Sequence, residues 1–356
     1  MISLEGCYNM TMSKIKTIDL FAGIGGIRKG FEKTGRFQTV YANDFDKHAK
    51  QTYDKNFEDV KMTLKNIKEV TVAGEIPQFD IVLSGFPCQP FSIGAHGKGF
   101  DDHKGRGTLF EEIIRLLQEA KEVYGELPMG FMLENVKNLK SHDGGRTYKI
   151  IHQKLSDLGY HITEKVFNSL DFGVAQSRQR IYIVGFRDKE ALDAFRWPEP
   201  TYSPEQYVKG RDVLDKYVEP RFYYDGKPLY EKIKDDVTNP DWVYNYRRTY
   251  VRPQKQGFSP TLVASMGLGG HNVPIIRDAK GVRKLTPSEC ARLQGYYDLH
   301  IPVGMADQQI YKQIGNSVSV PVIQAIAGNI AQAIEAVNIA PVIEPAPGVK
   351  LSLTTA

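Results

Sequence analysis

The chain has 356 residues, of which 41% are hydrophobic and 25% charged, a balance that excludes a largely disordered or collagen-like chain. Its length predicts two domains, or one large domain carrying an insertion. A formal net charge of +4 is too small to mark the whole molecule as a nucleic-acid binder, so any such surface must come from uneven placement of charge.

Residues 1–13 read as a loose tail. From Lys16 to about Phe186, short β-rich runs alternate with helical patterns, the signature of a parallel sheet with crossover helices. Strands are expected at residues 17–21, 39–42, 79–84, 130–133, 165–170 and 181–186. Between them Phe45, Ala49 and Tyr53 keep helical spacing, as do Leu109, Ile113, Leu116, Leu117 and Ala120. The fold class is α/β and doubly wound. Trp197-Pro198-Glu199-Pro200 then breaks the pattern, and the next roughly 80 residues, rich in Tyr, Pro and Gly, hold no sustained helical period. That change marks a second, smaller domain. Helical pattern returns at residues 286–294, with Thr286 as the cap, Pro287 at the first helical position and Glu289 at the third. A last helix is expected from Val318 to about Val337, before Pro341, Pro345 and Pro347 mark a loose end.

Cys7, Cys88 and Cys290 are odd in number and far apart, which argues against a disulfide framework and fits a reducing compartment. Without a CxxC pair, no structural zinc site and no bound metal are expected. The apolar stretch 320–336 is interrupted by Gln324, Asn329, Gln332 and Glu335 and falls short of a membrane span, and the start of the chain lacks the pattern of a secretory signal. A cytoplasmic protein is expected.

Asp19-Leu20-Phe21-Ala22-Gly23-Ile24-Gly25-Gly26 follows a strand and opens a helix, so its glycines let backbone approach a ligand at a strand end. It departs from the dinucleotide fingerprint because Gly25 and Gly26 are adjacent and position 28 is Arg, and a plain strand-to-helix turn would also account for it. Asp44, about 20 residues on, stands where a carboxylate accepts hydrogen bonds from ribose hydroxyls, and Phe45 could stack on a purine. Capping of the next helix is the competing role for Asp44. Together these features point to an adenosine-containing ligand without naming it.

Ser84-Gly85-Phe86-Pro87-Cys88-Gln89-Pro90-Phe91-Ser92 leaves a buried-looking strand at the carboxyl edge, where doubly wound folds bind substrates. A free cysteine is more often a small core hydrophobe, but prolines on both sides of Cys88-Gln89 fix a loop, where a cysteine has no packing reason to be. Positive neighbours would be needed to make it a thiolate. Glu134 ends another strand, and Gln176-Ser177-Arg178-Gln179-Arg180 places two guanidinium groups just before the next. Singly these are surface ion-pair residues; gathered at one sheet edge they form a catalytic constellation.

With DLFAGIGG at 19–26, GFPCQPFS at 85–92, ENV at 134–136, QSRQR at 176–180, RKLTPSECARLQGY at 283–296 and QIGNSV at 313–318, the chain resembles the DNA (cytosine-5)-methyltransferase family, particularly the short bacterial enzymes of restriction-modification systems. The resemblance covers most of the chain in the family order. It implies a Rossmann-like S-adenosylmethionine-dependent fold with a catalytic and cofactor-binding domain at 14–196 and a target-recognition domain at 197–282. A hinge segment at 283–315 and a helix at 316–338 returning to the catalytic domain would follow, with tails at 1–13 and 339–356.

The resemblance further implies that Cys88 attacks C6 of a flipped-out cytosine, that Glu134 holds N3 and the exocyclic amine, and that Arg178 and Arg180 orient the ring. C5 then takes the methyl group of S-adenosylmethionine. The cofactor pattern maps onto Phe21, Gly23, Gly25, Asp44, Phe45, Asn66, Ile67, Pro87, Leu109, Asn316 and Val318. Asp44 stands where Glu is usual, and Asn66 lies where an Asp commonly accepts from the adenine amine but keeps a carbonyl acceptor. Gln89, Ser92 and Arg106 would contact DNA, on a loop over 92–106 whose Gly94, Gly97, Gly99 and Gly105 suit a hinged lid.

Residues 241–280 hold Arg247, Arg248, Arg252, Lys255, Arg277 and Lys280 against Asp241 and Asp278, an excess equal to the charge of the whole chain. Interleaved Tyr244, Tyr246 and Tyr250 are expected to add stacking surface. A solvated basic face would look the same. By family analogy Arg247, Arg248, Arg252 and Thr261 contact double-stranded DNA, and Gly267 to Gly270 approach it. A monomer is expected, with a cognate restriction endonuclease acting separately. A transfer-RNA cytosine-5 methyltransferase is the nearest alternative, disfavoured by the long basic segment; a dinucleotide oxidoreductase would leave Cys88, Glu134 and Arg180 unused.

Overall fold

A computed structural model of the chain describes residues 13–87, 109–247, 249–266 and 272–338. The N-terminal half alternates β1 (Ile15–Leu20), α1 (Gly26–Glu32), β2 (Phe37–Asp44), α2 (Lys47–Asn56), β3 (Thr63–Leu64) and β4 (Ile81–Ser84). It continues with α3 (Leu109–Tyr124), β5 (Gly130–Val136), α4 (Arg146–Leu158), β6 (His161–Asn168), β7 (Gln176–Ser177), β8 (Gln179–Phe186) and α5 (Lys189–Ala194). β4 and β5 read as near-continuous apolar runs because helices cover both faces of the sheet.

All six expected strands form, and seven strands make one sheet in the order β3-β2-β1-β4-β5-β8-β6. The first five are parallel, but β8 pairs antiparallel with both β5 and β6, so the expectation of a parallel sheet fails at this edge. The cause is the link from β6 to β8, a 3-10 turn at Ser169–Phe172 and the two-residue β7, which is too short for a crossover helix. β8 also starts at Gln179, so Arg180 lies inside the strand and not before it.

Alternation along the strands sends side chains to two cores. Ile18, Leu20, Val82 and Leu133 pack under Ile113, Leu116, Leu117 and Ala120 of α3, as the helical spacing predicts. Ile81, Leu83, Met132 and Val184 pack on the other face with Ile27 and Phe31 of α1. In α2, Ala49 and Tyr53 are buried, but Phe45 is 72% exposed because it precedes the helix.

The second half holds α6 (Tyr230–Ile233), β9 (Val243–Tyr246), β10 (Val251–Gln254), β11 (Ser259–Pro260), β12 (Ile275–Asp278) and β13 (Gly281–Lys284). β10-β9-β12-β13 form an antiparallel sheet, while β11 pairs parallel with β7 of the first half. Tyr244 and Tyr246 are buried with Ile233, Ile275 and Val282, which corrects their expected place on a stacking surface: the small sheet needs an apolar face, and these rings supply it.

Three helices close the chain: α7 (Pro287–Arg292), α8 (Asp307–Asn316) and α9 (Val320–Asn338). α7 opens with the capping box read from the sequence, Glu289 N–H donating to Thr286 Oγ1 at 3.1 Å and Thr286 N–H to Glu289 Oε2 at 2.7 Å. α9 packs its Val322, Ile323, Ile326 and Ile330 against α1 and the sheet. The approach is close enough that a Cβ on Gly30 would sit 2.5 Å from Ile323. The stretch Asp307–Val337 is long and apolar enough to cross a membrane by composition, yet 67% of its most apolar window is buried inside the protein. A third core joins Ile24 and Ala175 of the first half to Leu262, Leu285, Leu293 and Ile314 of the second.

Candidate active site

The turn after β1 is built from left-handed backbone at Phe21 (φ 55°), Gly23 (φ 55°) and Gly25 (φ 78°). For Phe21 that conformation is strained, the kind of local cost that concentrates at functional sites. A Cβ at Gly25 would lie 2.3 Å from the Phe57 ring, whereas one at Gly23 would meet nothing within 4 Å, so open space lies over the middle of the turn. Gly23 N–H donates to Asp44 Oδ2 and Asp46 N–H to Asp44 Oδ1, each at 2.9 Å. Burial pushes the Asp44 carboxyl up, against the pull of these two donors. Helix capping falls to Asp46, whose Oδ1 accepts from His48 and Ala49 N–H, and not to Asp44.

Phe45 projects beside Asp44. Asn66 Oδ1 accepts from Lys68 N–H at 3.2 Å and caps the 3-10 turn Ile67–Glu69, so its carbonyl is partly engaged, and Ile67 is buried. Pro87 is exposed at the end of the segment leaving β4, and Leu109, half-buried, opens α3. Asn316 is exposed and Val318 buried on either side of Ser317. Open space over a glycine turn, an exposed aromatic ring and a carboxylate at a strand end fit an adenosine-containing cofactor.

Two residues behind this turn were not singled out from the sequence for a role. Asp19 is fully buried, and neither carboxyl oxygen has a hydrogen-bond partner among the described residues. Burial pushes its pKa up to about 8, with the Arg28 cation opposing. Its signal was a charged residue next to last in an apolar strand. Arg28, where the fingerprint would have glycine, is a buried clamp: Nε meets Glu32 Oε1 at 2.9 Å, Nη1 donates to Tyr53 Oη at 3.0 Å, and Nη2 meets Asp59 Oδ1 at 2.5 Å. Its guanidinium also stacks 4.1 Å from the centre of the Phe57 ring.

At the next edge Glu134 is 7% exposed in β5. The β5–β8 register sets Val136 opposite Arg180, which makes Arg180 a diagonal neighbour of Glu134 on the same face. Arg180 Nε lies 3.1 Å from Glu134 Oε1, close enough for an ion pair but poorly aligned for a hydrogen bond. Asn135 Nδ2, also missed from sequence, donates to Phe86 O at 3.0 Å and ties the segment leaving β4 to β5. A Cβ on Gly85 would stand 3.7 Å from Glu134 Oε2, so the segment that leads to Cys88 starts beside this carboxylate. Cys88, Gln89, Ser92, Arg106 and Arg248, with the 92–106 loop and Gly267 to Gly270, lie outside the described residues.

Arg178 differs from Arg180 in its partners: both of its Nη groups donate to backbone carbonyls. It sits in the break between β7 and β8, fully buried, its Nη1 donating to Leu262 O at 3.1 Å and its Nη2 to Ser317 O at 2.5 Å. Burial first, and then Arg180, push its pKa down to about 10. Thr261, half-buried, donates its hydroxyl to Ser177 O at 2.8 Å. Arg247 and Arg252 are exposed on the β9–β10 hairpin with Tyr250, while Arg277 Nε is held by Val237 O at 2.7 Å.

The architecture is that of the α/β methyltransferases. A crystal structure of Spodoptera frugiperda DNMT2 matches it with a TM-score of 0.67 at 19% identity, covering 89% of this chain and 99% of that one. The S. pombe Dnmt2 methyltransferase matches with a TM-score of 0.67 at 17% identity, covering 91% and 100%. Sequence narrows the class: residues 15–332 match the model of the C-5 cytosine-specific DNA methylases. The Type II methyltransferase M.Bsp6I of Bacillus sp. (strain RFL6) is 45% identical over 89% of this chain and 98% of its own length. M.HaeII of Haemophilus aegyptius, also a Type II methyltransferase, is 42% identical over 89% and 93%. The chain belongs to the C-5 cytosine-specific DNA methylases, enzymes that methylate cytosine at C5 in DNA.

Proposed function

We propose that the enzyme methylates a cytosine within a specific short duplex sequence, using S-adenosylmethionine and a covalent bond from Cys88 to C6, as the modification partner of a separate restriction endonuclease. The observation that carries this reading is the buried Glu134 with Arg180 Nε at 3.1 Å, beside the start of the cysteine segment. The family resemblance supplies the role of Cys88.

Cytosine C5 is a poor nucleophile while the ring is aromatic. Addition of the Cys88 thiolate to C6 removes the 5,6 double bond and moves its electrons toward C5 and N3. Glu134, held by strand register, hydrogen-bonds N3 and the exocyclic amine and passes a proton to N3 as charge develops there. Arg180 steadies that carboxylate and faces the ring. When bound, S-adenosylmethionine supplies an electrophilic methyl group to C5. A solvent water takes the C5 proton, the freed electrons restore the 5,6 double bond and expel Cys88 as thiolate, and N3 returns its proton to Glu134. Such chemistry requires the base outside the stack, at a cost of a few kcal/mol.

The cofactor would be held by Phe21, Gly23, Gly25, Asp44 and Phe45, with Asn66, Ile67, Pro87, Leu109, Asn316 and Val318 completing the set. Asp44 keeps lone pairs for the ribose hydroxyls beyond those used by Gly23 and Asp46. DNA contacts are assigned to Gln89, Ser92, Arg106, Arg247, Arg248, Arg252 and Thr261, whose hydroxyl donates to a phosphate by turning its proton away from Ser177 O. We place the enzyme in the cytoplasm, acting as a monomer.

Cys88→Ala is expected to abolish methyl transfer and leave cofactor binding intact. An oligonucleotide carrying 5-fluorocytosine should give a stable adduct on Cys88 by mass spectrometry; turnover by the variant, or an adduct elsewhere, defeats the covalent reading. Bisulfite sequencing of DNA from expressing cells reads the target sequence.

A further inference from the structure

We propose that Arg178 is a positioning residue, a buried fork that holds the cofactor-side turn at residues 316–318 and the recognition-side segment at residues 259–262 in one register against the Glu134–Arg180 edge. The cofactor half of this proposal rests on the role given above to Asn316 and Val318.

Four consecutive residues of the first half reach across to the second. Ala175 O accepts from Ser259 N–H at 2.8 Å, and Gln176 Oε1 accepts from Leu262 N–H at 3.0 Å. Ser177 O accepts from Thr261 Oγ1 at 2.8 Å, and Arg178 Nη1 closes the run on Leu262 O at 3.1 Å. The other arm of the same guanidinium takes Ser317 O at 2.5 Å. Ser317 in turn shares its hydroxyl with Tyr296 Oη at 2.5 Å, and a Cβ on Gly26 would sit 2.1 Å from that Tyr296 oxygen. One planar side chain therefore touches the recognition segment directly and lies three contacts, through Ser317 and Tyr296, from the first residue of α1, where the cofactor turn ends.

A buried cation held by backbone carbonyls is a costly way to stabilise a core, and an apolar side chain would fill the space with less desolvation. What the fork supplies is geometry: two donors in one plane at fixed separation, which lysine cannot reproduce. Arg180 lies two residues further along the chain, so fixing Arg178 also fixes where β8 begins and how Arg180 meets Glu134.

The test uses the full-length enzyme, with calorimetric titration of S-adenosylhomocysteine, duplex-binding affinity and steady-state kcat. Arg178→Lys is expected to weaken both cofactor and duplex binding by roughly tenfold, the effect of losing a charge-assisted hydrogen bond to each segment. Arg180→Lys should instead lower kcat with cofactor affinity retained. Arg178→Lys with unchanged cofactor affinity and a loss confined to kcat overturns the proposal and returns Arg178 to the cytosine. Asn316→Ala separates the two readings. If it weakens cofactor binding and Arg178→Lys does not, the fork is overturned and the cofactor turn stands; if it has no effect, the cofactor turn falls and takes the cofactor half of the fork with it. Should Arg178→Lys fail to fold, Tyr296→Phe removes only the hydroxyl at Ser317. It should weaken cofactor binding by about threefold, and unchanged affinity counts against the proposal.

Discussion

Glu134 is placed by pairing register and not by a loop: seven residue pairs between β5 and β8 fix where its carboxyl stands relative to Arg180. Glu134→Gln keeps shape and hydrogen-bonding capacity but removes proton transfer, so kcat should fall by about 100-fold or more while duplex affinity and fold persist. Single-turnover methyl transfer measures this, and a rate within a few-fold of the parent enzyme would remove Glu134 from the chemistry. Asp19 makes a different prediction. Its carboxyl ionises near pH 8 in the folded chain and near 3.8 when unfolded, so between these values the native state holds the extra proton. Stability should therefore decline as pH rises across this window, by at most about 1.4 kcal/mol per pH unit, and level off above it. Asp19→Asn cannot ionise and should flatten that decline. Urea unfolding of both proteins between about pH 5 and pH 8 decides it, because parallel curves would mean that Asp19 is not the titrating group.

At the level of elements, one carboxylate organises the join between the small sheet and α7. Glu289 Oε1 and Oε2 accept the two arms of Arg283 at 2.9 and 2.8 Å, and Oε1 also accepts from Asp215 N–H at 2.9 Å. Glu289→Ala would strand Arg283 with Asp278 as its sole acidic partner in the described ion pairs and remove half of the capping box. It should cost about 3 to 5 kcal/mol, read as a fall in the urea midpoint. A loss below about 1 kcal/mol would show the network to be dispensable. The cap itself was legible in Thr286-Pro287 and Glu289, because capping chemistry is local. So were six of the seven strands of the large sheet, whose apolar runs need no partner to be recognised, whereas the short strands of the second half carried no such run. Antiparallel β8 was not legible, since strand direction depends on the length of a connection folded into a 3-10 turn. Nor was the split between Arg178 and Arg180. Spaced two apart they should share a face of one strand, and only the break between β7 and β8 sends the first inward. Tyr244 and Tyr246 carried the same ambiguity, as an aromatic alternation fits a core face and a binding face equally well.

Across the whole molecule a net charge of +4 gives little general attraction to DNA, so affinity must come from where cations are fixed. The β9–β10 hairpin is one such place. Tyr244 and Tyr246 anchor its inner face, and Arg252 stands opposite buried Asn245, which leaves Arg247 and Arg252 exposed beside Tyr250. If both guanidinium groups neutralise phosphates, each releases condensed counterions, and log affinity should fall with log salt by about 0.9 per contact. Arg247→Ala combined with Arg252→Ala should then reduce the magnitude of that slope by about 1.8, with affinity lowered alike for target and unrelated duplexes. A base-reading role would look different: a loss of about 1 to 3 kcal/mol confined to the target duplex, with little change in slope. Equilibrium binding over a series of salt concentrations, on a methylatable duplex and on a scrambled one, separates the two. Unchanged slope and unchanged affinity on both duplexes would take the hairpin off the DNA and leave the charge excess of residues 241–280 as a solvated face.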